Sequence, residues 1–198
     1  MGSATVEYSG SEGTVASDRN RLRDLLAKKA LIHQKIQLSG GGESNYYFDC
    51  RKLTLSAEGM PLVADALLDH ILTLDDKPTA IGGLTVGADP IVAAVVMRGP
   101  SRGIQLDGFL VHKEPKKHGT QKLIENEPAT GSKVVIVDDV VTSGSSVIQA
   151  IRIAEEAGCE VVLALCLIER NTEGGEKVRE SCENYEPLFT LEDFPEVG

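Results

Sequence analysis

The sequence predicts an α/β fold, a mostly parallel sheet flanked by helices, with a small hood contributed by the N-terminal segment. Three observations predict it. Short apolar β-branched runs alternate with stretches whose apolar residues recur at helical spacing, the pattern of βα units. The run Val134-Val135-Ile136-Val137 has no polar alternation, which marks a strand buried on both faces of a parallel sheet. Finally, 198 residues with 41 % hydrophobic and 25 % charged side chains suit one domain with a full core.

Residues 1–17 are rich in Gly, Ser and Thr and are expected to form a flexible arm, leaving 18–198 as a single domain that includes the hood. Asp18 is expected to cap a helix running through Leu22, Leu25, Leu26 and Ala30. A glycine turn at Gly40–Gly42 then leads into an aromatic strand, Tyr46-Tyr47-Phe48. Side chains alternate along a strand, so Tyr46 and Phe48 face one way and Tyr47 the other. Residues 56–74 form an amphipathic helix with Pro61 in its first turn. From Thr79 a short strand breaks into a glycine-rich loop, Gly82-Gly83-Leu84-Thr85-Val86-Gly87, and residues 91–97 return as a helix. Gly108–Val111 is a strand. It opens into His112–Lys122, a polar, cationic run without an apolar face, read as a long exposed loop.

The central strand is expected to end at Asp138-Asp139. A hydroxyl-rich loop around Gly144 follows, and a helix from Ser146 to Ala154. Glu160–Ile168 is a further buried strand ending in Glu169-Arg170-Asn171. Residues 176–181 are expected to form a short helix, and 187–191 a final strand that is a candidate to join the hood. No repeat and no second domain is visible.

Composition narrows the function. The formal net charge is −10, which argues against a general nucleic-acid or membrane-surface binder. No apolar run is long enough to span a bilayer, and the N-terminus lacks a signal-peptide pattern. The four cysteines, Cys50, Cys159, Cys166 and Cys182, have no metal-site spacing; Cys159 and Cys166 lie in or beside apolar runs and read as buried thiols rather than a disulfide framework, which points to the cytoplasm.

The chemistry concentrates after the central strand. A loop with hydroxyls, backbone N–H groups and the positive end of a helix dipole suits a phosphate. Two carboxylates suit sugar hydroxyls or a hard cation such as Mg2+. No Gly-Lys-Ser/Thr follows Gly144, so this is not a Walker A loop. A ribose 5-phosphate would satisfy both halves. The plainer alternative is a capped helix after an ordinary strand, but a buried strand seldom ends in two carboxylates without a use for the charge. In so acidic a chain an anionic substrate needs a local group of cations, and Lys113 to Lys122 supplies one. Arg170, at a strand's carboxyl end, suits a planar carboxylate; the alternative is a surface Arg paired with Glu169 or Glu173.

These residues resemble the phosphoribosyl pyrophosphate (PRPP) signature of type I phosphoribosyltransferases: an apolar strand, Asp138-Asp139, two apolar residues, then Thr142-Ser143-Gly144-Ser145-Ser146. Two further segments resemble the orotate phosphoribosyltransferases within that group. Ser44-Asn45-Tyr46-Tyr47-Phe48-Asp49-Cys50-Arg51 is similar to their hood, and Lys113-Glu114-Pro115-Lys116-Lys117-His118-Gly119 to their mobile catalytic loop. The resemblance implies that PRPP is held by Lys113, Lys116, His118, Asp138, Asp139, Val140, Val141, Thr142, Ser143, Gly144, Ser145 and Ser146. It implies catalytic roles for Lys116, Asp138 and Asp139. Orotate would meet Tyr47, Phe48, Thr142 and Arg170. Mg2+ would enter mainly through PRPP, without a dedicated set of protein ligands, and a homodimer would share its active sites. The chain departs from the family in having His112 where an Arg is usual and Val86 where some relatives carry a Lys. It also has no Lys at Leu38 or Ser39. A transferase for another base and a PRPP-sensing homologue without catalysis are the alternatives.

Overall fold

The computed structural model describes residues 12–37, 43–114 and 122–197, with side chains from Asp18 onward. A six-stranded sheet forms its centre, in the order β5-β4-β3-β6-β7-β8. The strands are β3 (Ala80–Leu84), β4 (Asp107–Val111), β5 (Ile124–Glu125), β6 (Lys133–Val141), β7 (Glu160–Glu169) and β8 (Tyr185–Thr190). All neighbours are parallel except β4 and β5, which pair antiparallel. Helices α1 (Glu12–Leu25), α3 (Gly59–Thr73) and α4 (Asp89–Arg98) pack on one face, and α5 (Ser145–Glu156) and α6 (Thr172–Ser181) on the other. β6 shows why its run is continuously apolar. Val135 and Val137 belong to the first core, Val134 and Ile136 to the second, and all four are at most 1 % exposed.

The hood is a separate two-stranded ribbon, β1 (Leu31–Gln37) antiparallel to β2 (Glu43–Phe48), followed by a single turn, α2 (Arg51–Thr54). A π-helical turn, Leu26–Ala30, joins it to α1. Its anchor is aromatic: Phe48 packs edge-to-face on Phe194 with ring centroids 5.0 Å apart, and Phe194 on Phe189 at 5.9 Å.

The structure corrects three expectations. α1 begins at Glu12, so residues 12–17 are helical and Asp18 lies inside the helix rather than capping it. Adding turns to a nucleated helix costs less than starting one, and the small residues before Asp18 permit it. Residues 1–11 lie outside the described residues. β6 runs on to Val141, so the two aspartates are within the strand. β7 continues alongside as far as Val141↔Glu169, and its ladder carries the carboxylates in extended backbone. The last strand joins the main sheet and not the hood: β8 pairs with β7 from Ala164↔Tyr185 to Glu169↔Thr190, and so buries Tyr185, Leu188 and Phe189.

Candidate active site

The sheet reverses its winding between β3 and β6. From β3 the chain moves outward to β4; from β6 it moves the opposite way to β7 and β8. Open α/β sheets take their ligands in the crevice at the carboxyl ends of such a pair. Here β3 pairs with β6 only as far as Gly82↔Ile136, whereas β6 continues five residues along β7. Asp138 to Val141 therefore have one edge paired and the other turned toward the loop that follows β3.

Glycine makes that approach possible. A side chain on Gly83 would collide with the Val137 carbonyl. A Cβ on Gly87 would lie 2.7 Å from Oδ1 of both Asp138 and Asp139, so the two carboxylates converge on one point of the loop backbone. Each carboxylate also accepts from the next residue's backbone: Asp139 N–H donates to Asp138 Oδ1, and Val140 N–H to Asp139 Oδ1, both at 2.9 Å. Asp138 is 7 % exposed. Burial, followed by the charge of Asp139, pushes its carboxyl up to about 8. Burial also raises Asp139, opposed by the Val140 N–H and by the charge of Arg51. Such a pair favours a neighbouring cation or hydroxyl donors.

The loop after β6 ends on Gly144, which has φ +77°, the left-handed conformation glycine adopts without strain. α5 starts at Ser145 without a side-chain cap, so its first N–H groups face outward beside the Ser143 and Ser145 hydroxyls, which are 3.0 Å apart. α6 closes the loop from behind. Side chains on Gly174 or Gly175 would collide with the Thr142 carbonyl and the Glu169 carboxylate, so the Gly-Gly step lets helix and loop touch through backbone.

Arg170 bridges sheet and hood. Its N–H donates to the Val141 carbonyl at 2.8 Å, which places it beside the phosphate loop. Its guanidinium lies 4.7 Å over the Tyr46 ring and donates to Ser44 Oγ at 3.2 Å and to the Tyr46 carbonyl at 3.3 Å. It does not pair with Glu169 or Glu173, which lie against Arg179 at 3.6 Å and Lys177 at 2.7 Å. Its Nε is buried without a hydrogen-bond partner among the described residues.

The structure thus brings Asp138, Asp139, Val140, Val141, Thr142, Ser143, Gly144, Ser145, Ser146 and Arg170 to one crevice. Lys113 is placed beside it, because its carbonyl accepts from Gln149 of α5 at 2.9 Å. Lys116 and His118 lie outside the described residues. The two ends of their loop are held together where β4 pairs with β5 and His112 contacts Glu125 at 3.2 Å. Tyr47 is half-buried on the ribbon, opposite Ile32. Phe48 is different: 1 % exposed and packed on Phe194, it presents no face to a ligand, and Tyr46 is the aromatic that meets Arg170. Sequence reasoning assigned no role to Arg51, Gly174 or Gly175. The two adjacent glycines fell before the helix expected at 176–181, and only α6's start at Thr172 puts them inside it.

The molecule has a concavity apart from the crevice. It measures about 620 Å³ and lies between α1, α3 and β8, lined by none of these residues. Among its lining residues, Arg102 pairs with Asp65 at 2.8 Å and with Asp69 at 2.5 Å.

Known proteins share this arrangement. The phosphoribosyl transferase domain family matches residues 56–188. The orotate phosphoribosyltransferase of Streptomyces coelicolor is 42 % identical over 162 residues, covering 82 % of this chain and 88 % of that protein. The chain belongs to the orotate phosphoribosyltransferase family. Among solved structures, this phosphoribosyltransferase resembles the Mycobacterium tuberculosis H37Rv orotate phosphoribosyltransferase in complex with Fe(III) dicitrate. The TM-score is 0.76 at 34 % identity, over 90 % of this chain and 99 % of that one. The same M. tuberculosis enzyme in complex with PRPP gives a TM-score of 0.72 at 32 % identity, over 89 % and 98 %. Adenine phosphoribosyltransferase from Leishmania tarentolae shares the fold at 16 % identity and a TM-score of 0.61.

Proposed function

We propose that the chain transfers the ribose 5-phosphate group of PRPP to orotate, giving orotidine 5′-monophosphate and diphosphate, a step of pyrimidine biosynthesis. The observation that carries this reading is the crevice between β3 and β6. It sets two converging carboxylates, an uncapped helix N-terminus and an Arg-aromatic pair side by side. Each fits one part of the reacting pair.

In this reading the 5′-phosphate sits on the backbone N–H groups and hydroxyls of Thr142 to Ser146, and Asp138 and Asp139 hold the ribose hydroxyls. Arg170 meets the carboxylate of orotate through its fork, with Tyr46 and Tyr47 bordering the ring. As the bond from ribose C1 to the diphosphate breaks, positive charge grows on the ribose and the aspartates stabilise it. Lys113, Lys116 and His118 face the departing diphosphate, and closure of their loop excludes water.

The buried carboxylates Asp138 and Asp139 fit a nearby Mg2+. In this reading the ion enters with PRPP, where it would neutralise the diphosphate. Pairing of two copies, with sites shared between them, belongs to the same proposal. Met97 is 67 % and Val86 64 % exposed, apolar surface for such contact along α4 and the loop before it. A cytoplasmic setting fits the four free, buried thiols.

The test is spectrophotometric: loss of orotate absorbance with PRPP and Mg2+ present. The proposal expects turnover that depends on all three. Turnover of a purine base and not of orotate would sink it.

A further inference from the structure

The hood carries a cation that the proposed chemistry has not used. Arg51 opens α2, immediately beyond the aromatic strand. Its Nε–H donates to Asp49 Oδ1 at 2.9 Å, which leaves both Nη groups without a hydrogen-bond partner among the described residues. The side chain is 48 % exposed. Asp49 therefore orients the guanidinium while the rest of its fork stays available.

The position is specific. α2 packs against α4, the helix that follows the Gly82–Gly87 loop, and Gly87 is where the two aspartates converge. Cys50, next in sequence, is fully buried within reach of the charges of Asp138 and Asp139. Arg51 is the cation whose charge acts on Asp139, and Tyr47 is within its reach as well. The packing of α2 on α4 thus sets Arg51 on the side of the crevice where Asp139 meets Gly87, whereas Arg170 occupies the side formed by β7 and Tyr46.

Among the described residues, the loop after β3 adds no positive charge on the Gly87 side. The Thr85–Gly87 loop carries no charged side chain, Val86 is exposed on it, and the groups it meets at Gly87 are the carboxyls of Asp138 and Asp139. On the loop itself a diphosphate group would meet backbone but no side-chain cation. An Arg with two unengaged N–H edges is the side-chain chemistry that such a group requires.

Building on the proposed function, we infer that Arg51 is a binding residue for the diphosphate group of PRPP, supplied from the hood of the same chain. The guanidinium is oriented by Asp49 and complements the lysines of the long loop.

The experiment compares wild type, Arg51→Ala and Arg51→Lys. It measures KM for PRPP, KM for orotate, inhibition by inorganic diphosphate and the thermal midpoint. Arg51→Ala should raise KM for PRPP about tenfold and weaken inhibition by diphosphate equally, the effect of losing a charged hydrogen bond. KM for orotate should stay within about twofold and the midpoint should hold, because an exposed ion pair contributes little stability. Arg51→Lys should recover part of the loss. Unchanged PRPP and diphosphate constants in an active enzyme would overturn this assignment alone. An equal rise in both KM values with a lower midpoint would also overturn it, by showing a structural role. A wild type unable to use orotate and PRPP would take the proposed function and this assignment down together.

Discussion

The two halves of the crevice are built differently. The phosphate-loop half belongs to the central sheet: β6 is laddered to β7, Gly144 turns the chain, and α6 touches the loop through backbone. The hood half is a two-stranded ribbon outside that sheet. Few two-stranded ribbons are stable alone, and this one depends on Phe48 against Phe194 and on Arg170 against Tyr46. On the proposed function, the difference separates the two substrates. Sugar phosphate would meet backbone embedded in the core, and the base would meet side chains on an element outside the main sheet.

Substitutions can break that contrast. The largest effect is expected at Asp139→Asn. Replacing a charge that faces the developing cation should lower kcat/KM by about a hundredfold to a thousandfold, with turnover kinetics as the check. Gly87→Ala comes next. Its Cβ would press on both aspartates, and displacement on the order of 1 Å in a catalytic constellation costs about a hundredfold. Titration calorimetry should find PRPP binding weakened in this variant. Arg170→Ala, on the hood side, should raise KM for orotate about tenfold or more while KM for PRPP changes less than about twofold. Equal rises in both constants would erase the distinction between the halves.

The smallest effect is one of stability. The Asp138 carboxyl is raised to about 8 in the folded chain, well above its unfolded value near 4. The folded state therefore binds the extra proton. Its stabilising contribution is complete below about pH 4 and is lost as pH rises toward about 8. Asp138→Asn mimics the protonated form. It should raise the thermal midpoint at pH 8 by a few degrees, and by less at pH 5, in a scan of the ligand-free protein. A midpoint difference independent of pH would show that Asp138 is not the group responsible.

Much of the sheet-borne half was legible in the sequence because its signals are local. An unbroken β-branched run, two carboxylates, a glycine and a helical period are read along one stretch of chain. What escaped depends on partners far away in sequence. β6 extends to Val141 because β7 runs beside it, and β8 lies in the main sheet because β7 offers it an edge. Alternation along β2 placed Phe48 on the same side as Tyr46, but it could not reveal that Phe194, nearly 150 residues later, covers Phe48 and leaves Tyr46 to Arg170. Arg51 was overlooked because its relation to Asp139 arises only when the hood folds back onto the sheet.

A crystal of this chain soaked with PRPP and Mg2+ tests the central claim most directly. The account predicts the 5′-phosphate on the N–H groups of Thr142 to Ser146, with the ribose hydroxyls on Asp138 and Asp139. PRPP bound elsewhere, or a soaked crystal whose two aspartates still lie against Gly87 with the crevice empty, would contradict it.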